Sequence, residues 1–158
     1  MKHPSDPIPT DDVSPAVATE TWLAVVQTYN ECTATLSKRL EPLGLSLLEH
    51  EVLMNLMRSD DLTQKQLSHR CFSAKSGISM LISRFEADGL ISRRRSATDQ
   101  RAWLLSLTPK GQILARQAFD IQSEVVTAMA KAFSDEELSL VKSRMEDATA
   151  RLRTLRDS

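Results

Sequence analysis

Four arginines crowd the middle of this sequence: Arg93, Arg94 and Arg95 in a row, and Arg101 two residues after Asp99. A guanidinium fork binds phosphate oxygens and base acceptors bidentately, and a carboxylate two residues away across a turn can order one fork in advance. Upstream, Ser73, Lys75, Ser76 and Ser79 combine short hydroxyls with one amine, a set able to meet phosphates and base edges. Thr63, Gln64, Lys65, Gly77, Met80 and Arg84 stand around them as further candidates for the same surface. The chemistry these types support is recognition of a polyanion. The whole chain of 158 residues carries a formal charge of −1, which by itself speaks against that. The distribution reverses the judgement: residues 62–110 hold nine Lys/Arg against three Asp/Glu, and both flanks are acidic. A localised basic segment between acidic ones marks an anion-binding face.

Bond-making chemistry finds little support. The histidines are His3, His50 and His69, and His50-Glu51 is not followed by a second histidine at the spacing of a zinc protease. No glycine-rich phosphate loop and no nucleophile elbow are present, so neither catalytic residues, metal nor cofactor is expected. Cys32 and Cys71 lie outside any CxxC pair and read as two half-buried thiols in a reducing compartment. Asp60-Asp61 and Asp135-Glu136-Glu137 read as carboxylates at helix starts, on the positive end of the helix dipole.

The elements that must hold these residues are mainly helical. Met1 to Pro15 contains Pro4, Pro7, Pro9 and Pro15 and reads as a flexible tail without the pattern of a secretory signal, over residues 1–14. Ser14-Pro15 then opens a helix with a stripe at Trp22, Val25, Val26, Tyr29, Leu36 and Leu40, ended by Pro42 and Gly44. Ser46 with Glu49, Thr63 with Gln66 and Ser134 with Glu137 are three capping boxes, each marking a helix start. Ser73 is read as the cap of a helix running to Asp88, with Ile78, Leu81, Ile82 and Phe85 on its apolar face and Gly89 at its end. Leu90 to Leu107 switches to period two through Trp103, Leu105 and Leu107 and predicts a two-stranded hairpin with a basic arm. Thr108-Pro109 starts a long helix to about Ala132. In the last helix Leu138, Val141, Met145, Ala148, Leu152 and Leu155 form an a/d seam.

Three short helices followed by a hairpin is the order of a winged helix-turn-helix. The helix from Ser73 to Asp88 would enter the major groove, and the wing would lie along the adjacent minor groove. The predicted fold class is mainly α: one domain over residues 15–158. Residues 46–108 form the DNA-binding lobe, flanked by helical arms over 15–45 and 109–158.

Read in order, Leu62 to Leu67 (LTQKQL), Lys75-Ser76, Arg84 to Leu90 (RFEADGL), Asp99-Gln-Arg101 and Leu107 to Gly111 (LTPKG) resemble the MarR family over roughly residues 20–156. The resemblance implies a homodimer, with residues 15–45 and 109–158 as its dimerisation helices. It implies Arg101 at the wing tip in the minor groove, oriented by Asp99, and an effector or redox-sensing region where lobe and helices meet. Gly77 and Met80 depart from the family, which usually has a β-branched or polar residue there and often a basic one. Cys32 does not match the peroxide-sensing cysteine near the start of the first helix in the organic-peroxide branch.

The expectation is a cytoplasmic transcriptional regulator, most simply a repressor. Its partners are double-stranded DNA, a second copy of itself, and an apolar, anionic or phenolic small-molecule effector. No membrane is involved. Trp22 and Tyr29 suit core or dimer packing, and with His50 they are the candidates for lining an effector pocket. The alternative reading is a winged-helix module for protein–protein assembly, which would have no need of so basic a wing.

Overall fold

The computed structural model describes residues 13–59, 61–71, 77–97 and 101–158. Residues 1–12 of the tail, Asp60, and the roles assigned to Ser73, Lys75, Ser76 and Asp99 lie outside the described residues. The elements run α1 (Pro15–Leu40), α2 (Leu47–Arg58), β1 (Leu62–Thr63), α3 (Gln64–Arg70), α4 (Ile78–Ala87), β2 (Ile91–Arg95), β3 (Trp103–Leu107), α5 (Pro109–Ala130) and α6 (Asp135–Asp157). A single 3-10 turn, Glu41–Leu43, follows α1, and Gly44 closes it in the left-handed region at φ 66°.

All three capping boxes form. In each, the hydroxyl of Ser46, Thr63 or Ser134 accepts the N–H three residues on, and the Glu or Gln there takes the cap's own N–H. One helix start and one strand differ from the sequence reading. The described helix α4 opens at Gly77 rather than after Ser73, with Gly77 as its cap at φ 102°, a backbone state that side-chain-bearing residues avoid. The sheet has three strands instead of two, in the order β1-β3-β2 and antiparallel throughout, with Leu62 opposite Leu105 and Ile91 opposite Leu107.

The core is gathered in the middle of the chain. Val52, Leu53 and Leu56 of α2, Leu67 of α3, Ile78, Ile82 and Phe85 of α4, Leu105 of β3 and Ala115 of α5 are essentially sealed from solvent, together with Leu40. Burying each large side chain contributes about 1.5–3 kcal/mol. The junction after the wing is equally tight. A Cβ on Gly111 would stand 2.0 Å from the Leu90 carbonyl oxygen, so only glycine fits there. Thr108 reinforces the contact: its hydroxyl donates to the Gly89 carbonyl at 2.7 Å and its N–H to that of Leu90 at 3.0 Å. Lys110 Nζ donates to the Asp88 carbonyl at 2.8 Å. The LTPKG run is therefore a clamp between the end of α4, the wing and α5.

The terminal helices are built differently. Leu40 is the one buried residue of α1, and α6 buries none. No helix among the described residues is long and apolar enough to cross a membrane.

Candidate nucleic-acid interface and adjoining cavity

The helix α4 divides cleanly. Ile78, Leu81, Ile82 and Phe85 face the core, while Ser79, Met80, Ser83 and Arg84 face solvent. Met80 is 80% exposed, the most open of the large apolar side chains described. Gly77 has open space where a Cβ would sit. Short hydroxyls, a bare backbone and one flexible apolar knob thus share a surface. On α3, Gln64 and Lys65 are exposed. The Thr63 hydroxyl is already committed to capping, since it accepts from Gln66 N at 3.2 Å.

The arginines are less free than a linear count suggests. Arg84 pairs with Glu49 on α2, whose side chain also takes the Ser46 N–H, so one carboxylate ties the capping box to α4. Arg93 Nε lies 2.8 Å from Glu86 Oε2, near enough for an ion pair but not aligned as a straight hydrogen bond. Arg94 grips Asp61, with Nε donating to Oδ1 at 3.0 Å and Nη2 to Oδ2. The Ser106 hydroxyl donates to the same Oδ1 at 3.1 Å. Arg95 lies over the Trp103 ring, 4.2 Å from its centroid, a cation–π distance. These contacts brace the wing from below. Arg101 is exposed at the turn before β3.

Asp61 corrects the helix-start reading of the acidic pair. It precedes β1, holds a left-handed backbone at φ 66°, and puts its carboxylate on the wing. The Arg94 hydrogen bond, helped by Ser106, keeps its carboxyl below the usual range. Aspartate is among the few side chains that tolerate this backbone state.

Elsewhere, α1, α2 and α5 form an open-mouthed cavity of about 270 Å³ lined by Tyr29, Cys32, Leu36, Leu47, His50, Met54, Gln122 and Val126, among others. Tyr29 and His50 are thus brought together as the sequence suggested. Trp22 is not: it is 62% exposed and does not line this cavity. Neither Trp22 nor Tyr29 belongs to the core of the single chain. His50 is buried, and desolvation lowers its pKa from 6.5, opposed by neighbouring Gln122 and Glu51. Sequence reasoning missed Gln122 altogether, because nothing in its surroundings on α5 distinguishes an inward glutamine from a surface one. Cys71 is buried, and its desolvation pushes the thiol up to about 11. It is a poor thiolate at neutral pH. Cys32 is half-buried at the cavity wall.

The seam residues of α6 lie on a helix that buries none of its side chains. Leu138 and Ala148 are half-exposed, and Val141, Met145, Leu152 and Leu155 are 42%, 44%, 65% and 73% exposed. Val17, Trp22, Leu23 and Val25 on α1 are also open.

Comparison with known proteins agrees with this architecture. The model of the MarR family matches residues 43–102. The organic hydroperoxide resistance transcriptional regulator of Bacillus subtilis is 30% identical over 115 residues, 73% of this chain and 77% of that protein. Among solved structures, AbsC, a MarR family transcriptional regulator from Streptomyces coelicolor, superposes with a TM-score of 0.76 at 24% identity, covering 92% of this chain and 99% of that one. CouR from Rhodococcus jostii RHA1, solved with p-coumaroyl-CoA bound, superposes with a TM-score of 0.74 at 18% identity, covering 85% of this chain and 95% of that one.

Proposed function

Because the chain belongs to the MarR family of transcriptional regulators, we propose that it is a sequence-specific DNA-binding repressor, cytoplasmic and without catalytic activity. It works as a homodimer on a pseudo-palindromic operator, and a small molecule releases it. The observation that carries this reading is the solvent face of α4, with Ser79 and Met80 beside a braced, arginine-bearing wing. Residues 46–108 act as the DNA-binding lobe. Residues 15–45 and 109–158 act as the dimerisation arms, joined through the open seam of α6. A two-fold dimer places its half-sites about one helical turn, ~10 bp, apart.

In this reading α4 enters the major groove, and Met80 offers an apolar contact for a thymine methyl. Lys65, with Lys75 of the neighbouring segment, meets phosphates, and Arg101 reaches into the minor groove. Arg84, Arg93 and Arg94 serve chiefly to position the helix and wing, since their charges are already met within the chain. The cavity at Tyr29 and His50 receives the effector. To release DNA, that effector must bind the DNA-incompetent arrangement more tightly than the competent one. CouR, a fold relative, is bound to p-coumaroyl-CoA in its crystal structure.

The test is selection of operator DNA from a genomic library, followed by gel-shift titration at two salt concentrations. Arg101→Ala should lower operator affinity strongly and relax the preference for A·T-rich, narrow-groove flanks. Unchanged affinity and an unchanged salt slope would remove the wing from the DNA contact and favour the assembly-module reading.

A further inference from the structure

Glu49 carries a charge that its capping role does not need. It closes the capping box at the start of α2, its carboxylate accepting the Ser46 N–H. The same box at the start of α3 is closed by Gln66, a neutral side chain of the same shape. For the cap alone, an amide suffices. A carboxylate at position 49 is also costly, because the residue is buried and a charge taken out of water needs a counter-charge. Arg84 supplies it: its Nη2 pairs with Glu49 Oε1, while the Ser46 N–H holds Oε2. The pair is lopsided. The Glu49 side chain is 12% exposed and the Arg84 side chain 56%. The anion is fixed within the fold, and the cation stands at the surface.

The surface in question is the reading face of α4. Arg84 follows Met80 by one helical turn and Gly77 by two, and all three line one cleft with Ser46 and Glu49, between the starts of α2 and α4. In the DNA-binding reading this stripe meets the duplex. An arginine free to act there would add a phosphate contact, which strengthens binding to every sequence alike and carries no base information. To reach a phosphate, however, Arg84 must leave a buried carboxylate without its counter-charge. We propose that Glu49 is a positioning residue that withholds Arg84 from the DNA backbone, so that affinity for non-operator DNA stays low and base contacts decide a larger share of binding. The inference rests on the DNA-binding reading above and adds to it a device for specificity.

Fluorescence anisotropy of the full chain on a duplex of scrambled sequence, at several salt concentrations between about 50 and 200 mM, tests this. Glu49→Gln keeps the shape and the cap, as Gln66 does in α3. It should bind scrambled DNA roughly 10-fold more tightly at the low-salt end, with a salt slope steeper by about 0.9 for each Arg84 released. A purely structural role for Glu49 predicts instead weaker or equal binding at the parental slope. Arg84→Gln, whose amide can still donate to Glu49, should keep the parental slope, because Arg84 meets no phosphate in the parent. The double variant Glu49→Gln/Arg84→Gln should also return to the parental slope. An unchanged slope in Glu49→Gln, a shallower slope in Arg84→Gln, or a double variant as steep as Glu49→Gln would each overturn the proposal. The Arg84→Gln result decides the matter even where Glu49→Gln does not fold. A parent that binds neither scrambled nor operator DNA overturns this proposal and the DNA-binding reading together. A parent that binds DNA, with Glu49→Gln indistinguishable from it, overturns this proposal alone.

Discussion

Helices α4 and α6 each carry an apolar stripe at helical spacing, yet the chain treats the two in opposite ways. The shorter, Ile78–Ala87, buries four residues against the sheet and the neighbouring helices. The longer, Asp135–Asp157, buries none, although its seam runs the length of the helix. Both are amphipathic, so periodicity alone cannot separate them. What separates them is whether the rest of the chain supplies a surface to cover the stripe. The lobe around α4 is complete within one chain. The arm around α6, like the open apolar face of α1, leaves its stripe uncovered within one chain. Exposed apolar surface of this extent is the mark of an interaction site, and in the homodimer proposed above a second copy would supply the same surface by symmetry.

The contrast can be broken in order of expected effect. Phe85→Ala removes a side chain that is 2% exposed at the centre of the lobe. It should cost about 3–5 kcal/mol in chemical denaturation, while the same truncation at Leu155, 73% exposed, should cost the isolated chain almost nothing. Leu152→Asp should do the reverse. Light scattering should show a folded monomer, and operator affinity should fall roughly 100-fold through lost bivalency. A variant that stays dimeric would mean the seam is not the interface. Gly111→Ala strikes the join between the two regions. Its methyl group meets the Leu90 carbonyl, and relaxing that clash should cost about 1–3 kcal/mol and displace the wing. An unchanged melting temperature would show that the clamp is slack.

The smallest effect is acid sensitivity. His50 has a pKa lowered by burial, so the unfolded chain binds its proton more readily than the folded one. This part of the stability is therefore complete above pH 6.5 and is lost as the pH falls through that value toward the lower folded pKa. His50→Phe should flatten the stability profile in that window, as followed by denaturant melts. A profile of identical slope in parent and variant would assign the acid response to other groups.

Local rules made much of this legible. Ser46, Thr63 and Ser134 announced three helices because a capping box is written within four residues. Gly44 and Gly89 marked stops for the same reason. The third strand was hidden, since Leu62–Thr63 is too short to show any period and Thr63 also carries a cap signal. The start of α4 went astray because Ser73 has the chemistry of a cap, whereas Gly77 supplies its backbone freedom. The arginines were misweighted for a different reason. Arg94 and Asp61 are 33 positions apart, and Arg84 meets Glu49 from another helix. A count of charges sees nine cations in the segment; only the fold reveals which already have an anion. The meeting of His50 and Gln122 is of the same kind, being invisible until α2 and α5 come together.

The contact between Gly111 and Leu90 bears on how a signal would travel. Side chains in contact can absorb a small displacement by changing rotamer, but two main chains pressed together have no such slack. From Gly111 to Gln122 the helix α5 spans roughly 16 Å, so it is a rigid lever with its far arm at the cavity and its short arm against the wing. Gly89, Leu90 and the end of α4 are bolted to the short arm through Thr108 and Lys110. A slight tilt of α5 at Gln122 would therefore be passed on as rotation of the wing rather than dissipated as local rearrangement, with the absence of a methyl group at position 111 keeping that linkage stiff.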